Sequence, residues 1–131
     1  MTKIKDIKVA LISPRAVASK KMIRRVQPPL GLCCIAAGLR SEGVKNVLIF
    51  DSLIEDYHDV KPIKNLKDMI TYGASDDNLT KKLKEFKPDI VGISSLFSSQ
   101  VSQAYAAARA TKKYNNNVIV VFGGIHASDK S

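Results

Sequence analysis

The chain has 131 residues, 45% of them apolar and 25% charged, which suits one soluble domain with a core of its own and no disulfide or metal staple. No apolar run nears the roughly 18 residues of a membrane span, and Met1 to Lys5 lead into a strand-like segment without a signal-peptide core. The expectation is a cytoplasmic domain, 1–131, with no membrane partner.

The formal charge of +9 raises the question of nucleic acid, but the lysines are spread over separate segments. The tightest cluster, Lys20, Lys21, Arg24 and Arg25, has no aromatic residues between its members. Surfaces that track phosphates need a stripe of charge, and single-strand binders also need stacking rings. With four Tyr, four Phe and no Trp, solvated faces are the better reading and no nucleic-acid partner is expected. The two cysteines, Cys33 and Cys34, are adjacent. Neighbours of this kind seldom pair, and no second cluster exists to complete a metal site, so both are read as small apolar residues of a buried helix.

In chain order, strand-like runs alternate with helical ones. Ile7–Ile12, Asn46–Phe50, Asp89–Ser94 and Val118–Phe122 are apolar with little polar alternation, as in parallel strands covered on both faces. The first helix is expected over Leu30–Arg40, after Pro28-Pro29 and before Gly43, with Leu32, Ile35, Ala36 and Leu39 on one side. Ser75, Asp76 and Asp77 offer a start for a second helix, with Leu79, Leu83 and Phe86 on its apolar face and Pro88 beyond it. A third, about Ser99–Tyr114, carries Val101, Ala104, Tyr105 and Ala108 on one side, and Asn115 to Asn117 form a turn. Ser13–Gln27 and Ser52–Ala74 read as irregular, with a short helix around Ile63–Ile70.

This alternation implies α/β architecture: a flavodoxin-like (Rossmann-type) parallel sheet with helices on both faces and right-handed crossovers. Four strands are present where that fold has five, which reads as truncation unless the final strand comes from elsewhere. Val118–Phe122 would then be an apolar edge strand, inviting a dimer of the fragment.

Ligands of open parallel sheets bind beyond the carboxyl ends of the strands, where strand order reverses. A dinucleotide site would need a glycine-rich turn after the first strand, and Ser13–Gln27 has no glycine. Bulky basic residues fill the place of a flavodoxin phosphate loop, and Ser94 stands where a receiver domain has its aspartate. What remains is serine-rich and glycine-paired. Serine hydroxyls can bond a polar ligand, and Gly123-Gly124 removes two side chains where a flat group could approach.

Ser94-x-Leu96, then 26 residues, then Gly123-Gly124, resembles the SxL…GG pair of cobalamin-binding domains. Pro28-Pro29-Leu30-Gly31-Leu32 with Ala36-Ala37-x-Leu39, Lys87 to Ser94, and Gly123 to Ser128 resemble one branch, the N-terminal domain of cobalamin-dependent radical SAM proteins. The likeness runs from about Ile7 to Ser128. It implies a module for cobalamin (methylcobalamin or hydroxocobalamin), bound by Ser94, Ser95, Leu96, Ser98, Gly123, Gly124, Ile125 and His126. Ser94 would bond the nucleotide tail, Leu96 would shape its channel, and the two glycines would leave room for the dimethylbenzimidazole.

Mutases and methionine synthases carry DxHxxG after the first strand, with a cobalt-ligating histidine. Nothing after Ile12 matches it. Asp56-Tyr57-His58 reproduces three positions after the second strand without the glycine, and His58 is read as a surface residue. The resembled branch commonly has no such histidine, so no metal ligand is assigned. It also has a C-terminal radical SAM domain as the module's partner in the same chain, with S-adenosylmethionine and a 4Fe-4S cluster on CxxxCxxC. That run is absent here, so the fragment is expected to bind rather than catalyse, within a parent of the methyltransferase type. The alternative is an interaction domain without the cofactor, docking an acidic partner through Ser13–Gln27.

Overall fold

In the computed structural model, residues 6–20, 30–63, 66–94 and 101–123 are described. Four parallel strands form the main sheet: β1 (Lys8–Ser13), β3 (Asn46–Asp51), β6 (Ile90–Ser94) and β7 (Ile119–Gly123). Their order is β3-β1-β6-β7, so strand order reverses between β1 and β6, as a flavodoxin-like sheet requires. The four expected strands all exist, each within a residue of its expected bounds.

Alternation divides the side chains between two layers. Ala10, Ile12, Val91 and Ile93 pack with Leu79 and Leu83 of α3 (Asp76–Phe86) and Ala104 and Ala107 of α4 (Val101–Tyr114). Val9 and Leu11 turn the other way, onto Leu32 and Ala36 of α1 (Leu30–Ser41) and Val44 beyond it. Helices therefore cover both faces.

The helix ends follow from local chemistry. The Ser75 side chain accepts from the Asn78 amide at the start of α3, and Asp76 and Asp77 fill its first turn, where the helix dipole favours negative charge. Gly43 leaves α1 at a φ of 101°, a left-handed exit that glycine makes without strain. The Asn115 carboxamide accepts from the Asn117 amide at 3.0 Å, closing the turn before β7.

Two helix faces differ from the expectation. On α1 the buried pair is Leu32 and Ala36, while Ile35 is 51% exposed and both cysteines are exposed. The expected buried cysteines are thus corrected: one helix over a sheet buries a narrow stripe, and Cys33 and Cys34 lie outside it. On α4 the stripe is Ala104, Ala107 and Thr111, and Tyr105 is 52% exposed, its ring 5.3 Å from that of Phe122.

The larger correction concerns the segments expected to be irregular. β2 (Ala16–Ser19), β4 (Val60–Ile63) and β5 (Leu66–Tyr72) form a second, antiparallel sheet in the order β2-β5-β4, and α2 (Ser52–Glu55) precedes β4 and β5. The helix expected around Ile63–Ile70 is not formed. Its apolar residues at 63, 66 and 70 also fit helical spacing, but β5 has a strand on each side to bond, and pairing decides. Pro62 sits in the edge strand β4, next to an irregularity in register between Pro62 and Ile63, where its missing N–H costs least.

Candidate functional site

The site grows from the carboxyl tips of β6 and β7. These strands run in register from Ile90 opposite Ile119 to Ser94 opposite Gly123. Side chains alternate along a strand. Ile90 belongs to the layer under α1, so Gly92 and Ser94 face that side with it, as do their partners Val121 and Gly123.

Here α1 covers only part of the sheet. Ile119 is 58% and Val121 51% exposed on this face. Gly92 contributes no side chain, and a Cβ there would come within 3.1 Å of the Leu11 Cδ2. Ile119 and Val121 thus present exposed apolar surface along β7, on the side of the sheet that carries α1. At the carboxyl end of β7 a Cβ placed on Gly123 would meet no heavy atom within 4 Å. A side chain at 123 would thus have room, opposite Ser94 in the register. An apolar surface with a few polar groups at one end suits a planar heterocycle with a polar tail, so these residues fit the cofactor that the sequence motif implies.

The tips of β1 and β3 complete the same edge. Ser13 is opposite Asp51, and the Asp51 carboxylate accepts from the Leu53 amide at 3.0 Å, starting α2. Asp51 is only 4% exposed. Burial pushes its carboxyl above the ordinary range, against the lowering effect of the Leu53 and Ile54 amides, and nearby Glu55 pushes the same way as burial.

Of the expected site residues, Ser94 and Gly123 are described and are direct partners. Ser95, Leu96, Ser98, Gly124, Ile125 and His126 lie outside the described residues, as do Pro28 and Pro29. His58 is exposed, with its ring edge-on to Tyr57 at 5.5 Å. Among the described residues, no three His, Cys, Asp or Glu side chains gather as a metal site, and no helix is long and apolar enough to cross a membrane.

Arg15, in the segment after the first strand at the ligand-binding edge, has a role that the sequence does not announce. It follows β1 by two residues and is 8% exposed. Its guanidinium donates to the carbonyls of Gly73, Asp59 and Thr71 and to the Thr71 hydroxyl, and lies 3.5 Å from the Asp59 carboxylate. These partners come together only when Ser52–Ala74 folds into the small sheet, so no local sequence pattern marks Arg15 out.

A switch point between β1 and β6, with a serine and a glycine paired at the neighbouring tips, defines a cofactor-binding α/β module. Residues 22–130 match the family model described as B12 binding domain, and the chain belongs to that family, whose ligand is cobalamin. It is 37% identical over 120 residues to the cytidylyl-2-hydroxyethylphosphonate methyltransferase of Streptomyces wedmorensis, a match covering 92% of this chain and 22% of that protein. It is 34% identical over 126 residues to the uncharacterized methyltransferase PH0819 of Pyrococcus horikoshii, covering 95% of this chain and 23% of that one. An anaerobic magnesium-protoporphyrin IX monomethyl ester cyclase of Rubrivivax gelatinosus is 24% identical over 122 residues, covering 93% and 19%. The chain thus spans about a fifth of the length of these relatives. No solved structure matches it.

Proposed function

We propose that the chain is the cobalamin-holding module of a radical SAM enzyme of the methyltransferase type. The observation that carries this reading is the pairing of Ser94 with Gly123 at adjacent strand tips, with the exposed apolar Ile119 and Val121 on the same face. Two relatives named as methyltransferases, each much longer than this chain, support the type of parent. When bound, cobalamin supplies a carrier for a methyl group.

In this reading the chain's own residues bind and orient. Ser94 donates to or accepts from the nucleotide tail, as a hydroxyl can do either. Gly123, with Gly124 after it, leaves the tail's entry clear. Val121 and Ile119 give up their exposed apolar surface to it, which supplies affinity, while the hydroxyl fixes orientation. Ser95, Leu96, Ser98, Ile125 and His126 complete the lining in the same proposal. Reaction, S-adenosylmethionine and the 4Fe-4S cluster belong to a radical SAM domain of the parent chain.

Titration of the full-length protein with hydroxocobalamin tests the reading. The expected result is a saturable change in the visible spectrum, with cobalamin co-eluting on gel filtration. Unbound cobalamin at tens of micromolar protein would count against it. For the parent type, the expected finding is a CxxxCxxC run elsewhere in the full-length protein and an iron–sulfur absorbance that disappears when its cysteines are replaced.

A further inference from the structure

The small antiparallel sheet stands at the carboxyl edge of the large one. Its β2 leaves the tip of β1 through Pro14 and Arg15, and α2 leaves the tip of β3 directly after Asp51. The far end of β5 returns to the same place: the Ala74 amide donates to the Ser52 carbonyl at 2.7 Å. Gly73, at a φ of 122°, lies so close to Ser52 that a Cβ would sit 3.2 Å from it. Both ends of the small sheet are therefore moored on the β1/β3 side of the switch point, opposite Ser94 and Gly123.

Arg15 is the main bolt in this mooring. A guanidinium that is nearly out of water carries a large desolvation cost, and apolar residues often hold a fold at least as well. What its planar fork adds is direction, since several donors at fixed angles bind several acceptors at once. Three of those acceptors, the Gly73, Thr71 and Asp59 carbonyls, are backbone atoms, so the side chain fixes the path of the main chain. We infer that the small sheet is a fixed wall of the cofactor site on the β1/β3 side and that Arg15 is a positioning residue for the cofactor. This rests on the cobalamin reading above. Supports of this kind act through the groups they hold, without touching the ligand.

The test uses the full-length protein, with hydroxocobalamin as probe and amide exchange as a second readout. Arg15→Met should weaken binding roughly tenfold, the low end for loss of an outer supporting partner. It should loosen the amides of Thr71, Tyr72 and Gly73 while leaving Val91 and Ile93 protected. Arg15→Lys should recover part of the affinity, and Thr71→Val, which removes one acceptor, should cost roughly two- to threefold. A change in the visible spectrum of the bound cobalamin should accompany the loosening.

Loosened β5 amides with unchanged affinity and spectrum would overturn the inference and leave the cobalamin reading standing. Failure of the unaltered protein to bind would instead remove the reading and this inference with it. If Arg15→Met also exposes Val91 and Ile93, Thr71→Val becomes the deciding variant, and loosened β5 with unchanged affinity is then the overturning result.

Discussion

Ser94 and Gly123 are opposite one another in the register of β6 and β7, the last described pair of the two strands. One carries a hydroxyl and the other no side chain, and both face the side that α1 leaves partly open. A polar group beside a gap is what a ligand with a flat ring and polar substituents needs at the mouth of its channel. Replacing Ser94 with Ala should remove one hydrogen bond, worth about 1 kcal/mol, and weaken hydroxocobalamin binding about fivefold. Isothermal titration would read this directly, and an unchanged affinity would remove Ser94 from the site.

Asp51 gives a prediction about pH. Its carboxyl is raised in the folded state, chiefly by burial, so the folded protein holds that proton more tightly than the unfolded chain. Stability from this group is then greatest at low pH and falls as pH rises from the unfolded value of 3.8 through the raised folded one. Asn keeps an oxygen to accept from the Leu53 amide without carrying the charge. Asp51→Asn should therefore melt higher than the unaltered protein at pH 7, with the gap closing as pH falls towards 4. A gap that widens on acidification would contradict the assigned direction.

The outer strand gives a prediction about association. In the described sheet β7 pairs only with β6, and Ile119 and Val121 add exposed apolar surface beside its free edge. Such an edge pairs readily with another chain. The 131-residue chain should show concentration-dependent association in light scattering, and Val121→Lys should shift it towards monomer. A monomer at all concentrations for the unaltered chain would show that its edge is covered.

The large sheet is legible in the sequence because its strands are continuous apolar runs separated by helices with clear starts, such as Ser75 and the two aspartates after it. Alternating strands and helices imply a parallel sheet, and the flavodoxin-like order expected of it is the one observed, β3-β1-β6-β7. The small sheet is not legible, because Ile63, Leu66 and Ile70 suit a helix as well as a strand, and only the partners β2 and β4 settle the matter. The role of Arg15 escapes notice for the same reason: most of its acceptors are main-chain carbonyls, which no side-chain pattern announces. Cys33 and Cys34 mislead because an apolar helix looks buried all round until the width of the layer beneath it is known. Ser94 and Gly123 are legible through their motif, and their pairing needs only the order β6-β7.

The most direct measurement compares hydroxocobalamin with cobinamide, which lacks the dimethylbenzimidazole nucleotide tail, on the unaltered full-length protein and on Gly123→Leu. A Cβ at 123 meets no heavy atom within 4 Å, so the fold should survive while the leucine occupies the space proposed for the tail. The unaltered protein should prefer hydroxocobalamin at least tenfold, roughly the worth of 1.4 kcal/mol, and Gly123→Leu should lose most of that preference. Equal affinity for the two ligands, or a preference undiminished in the variant, would contradict the proposed site.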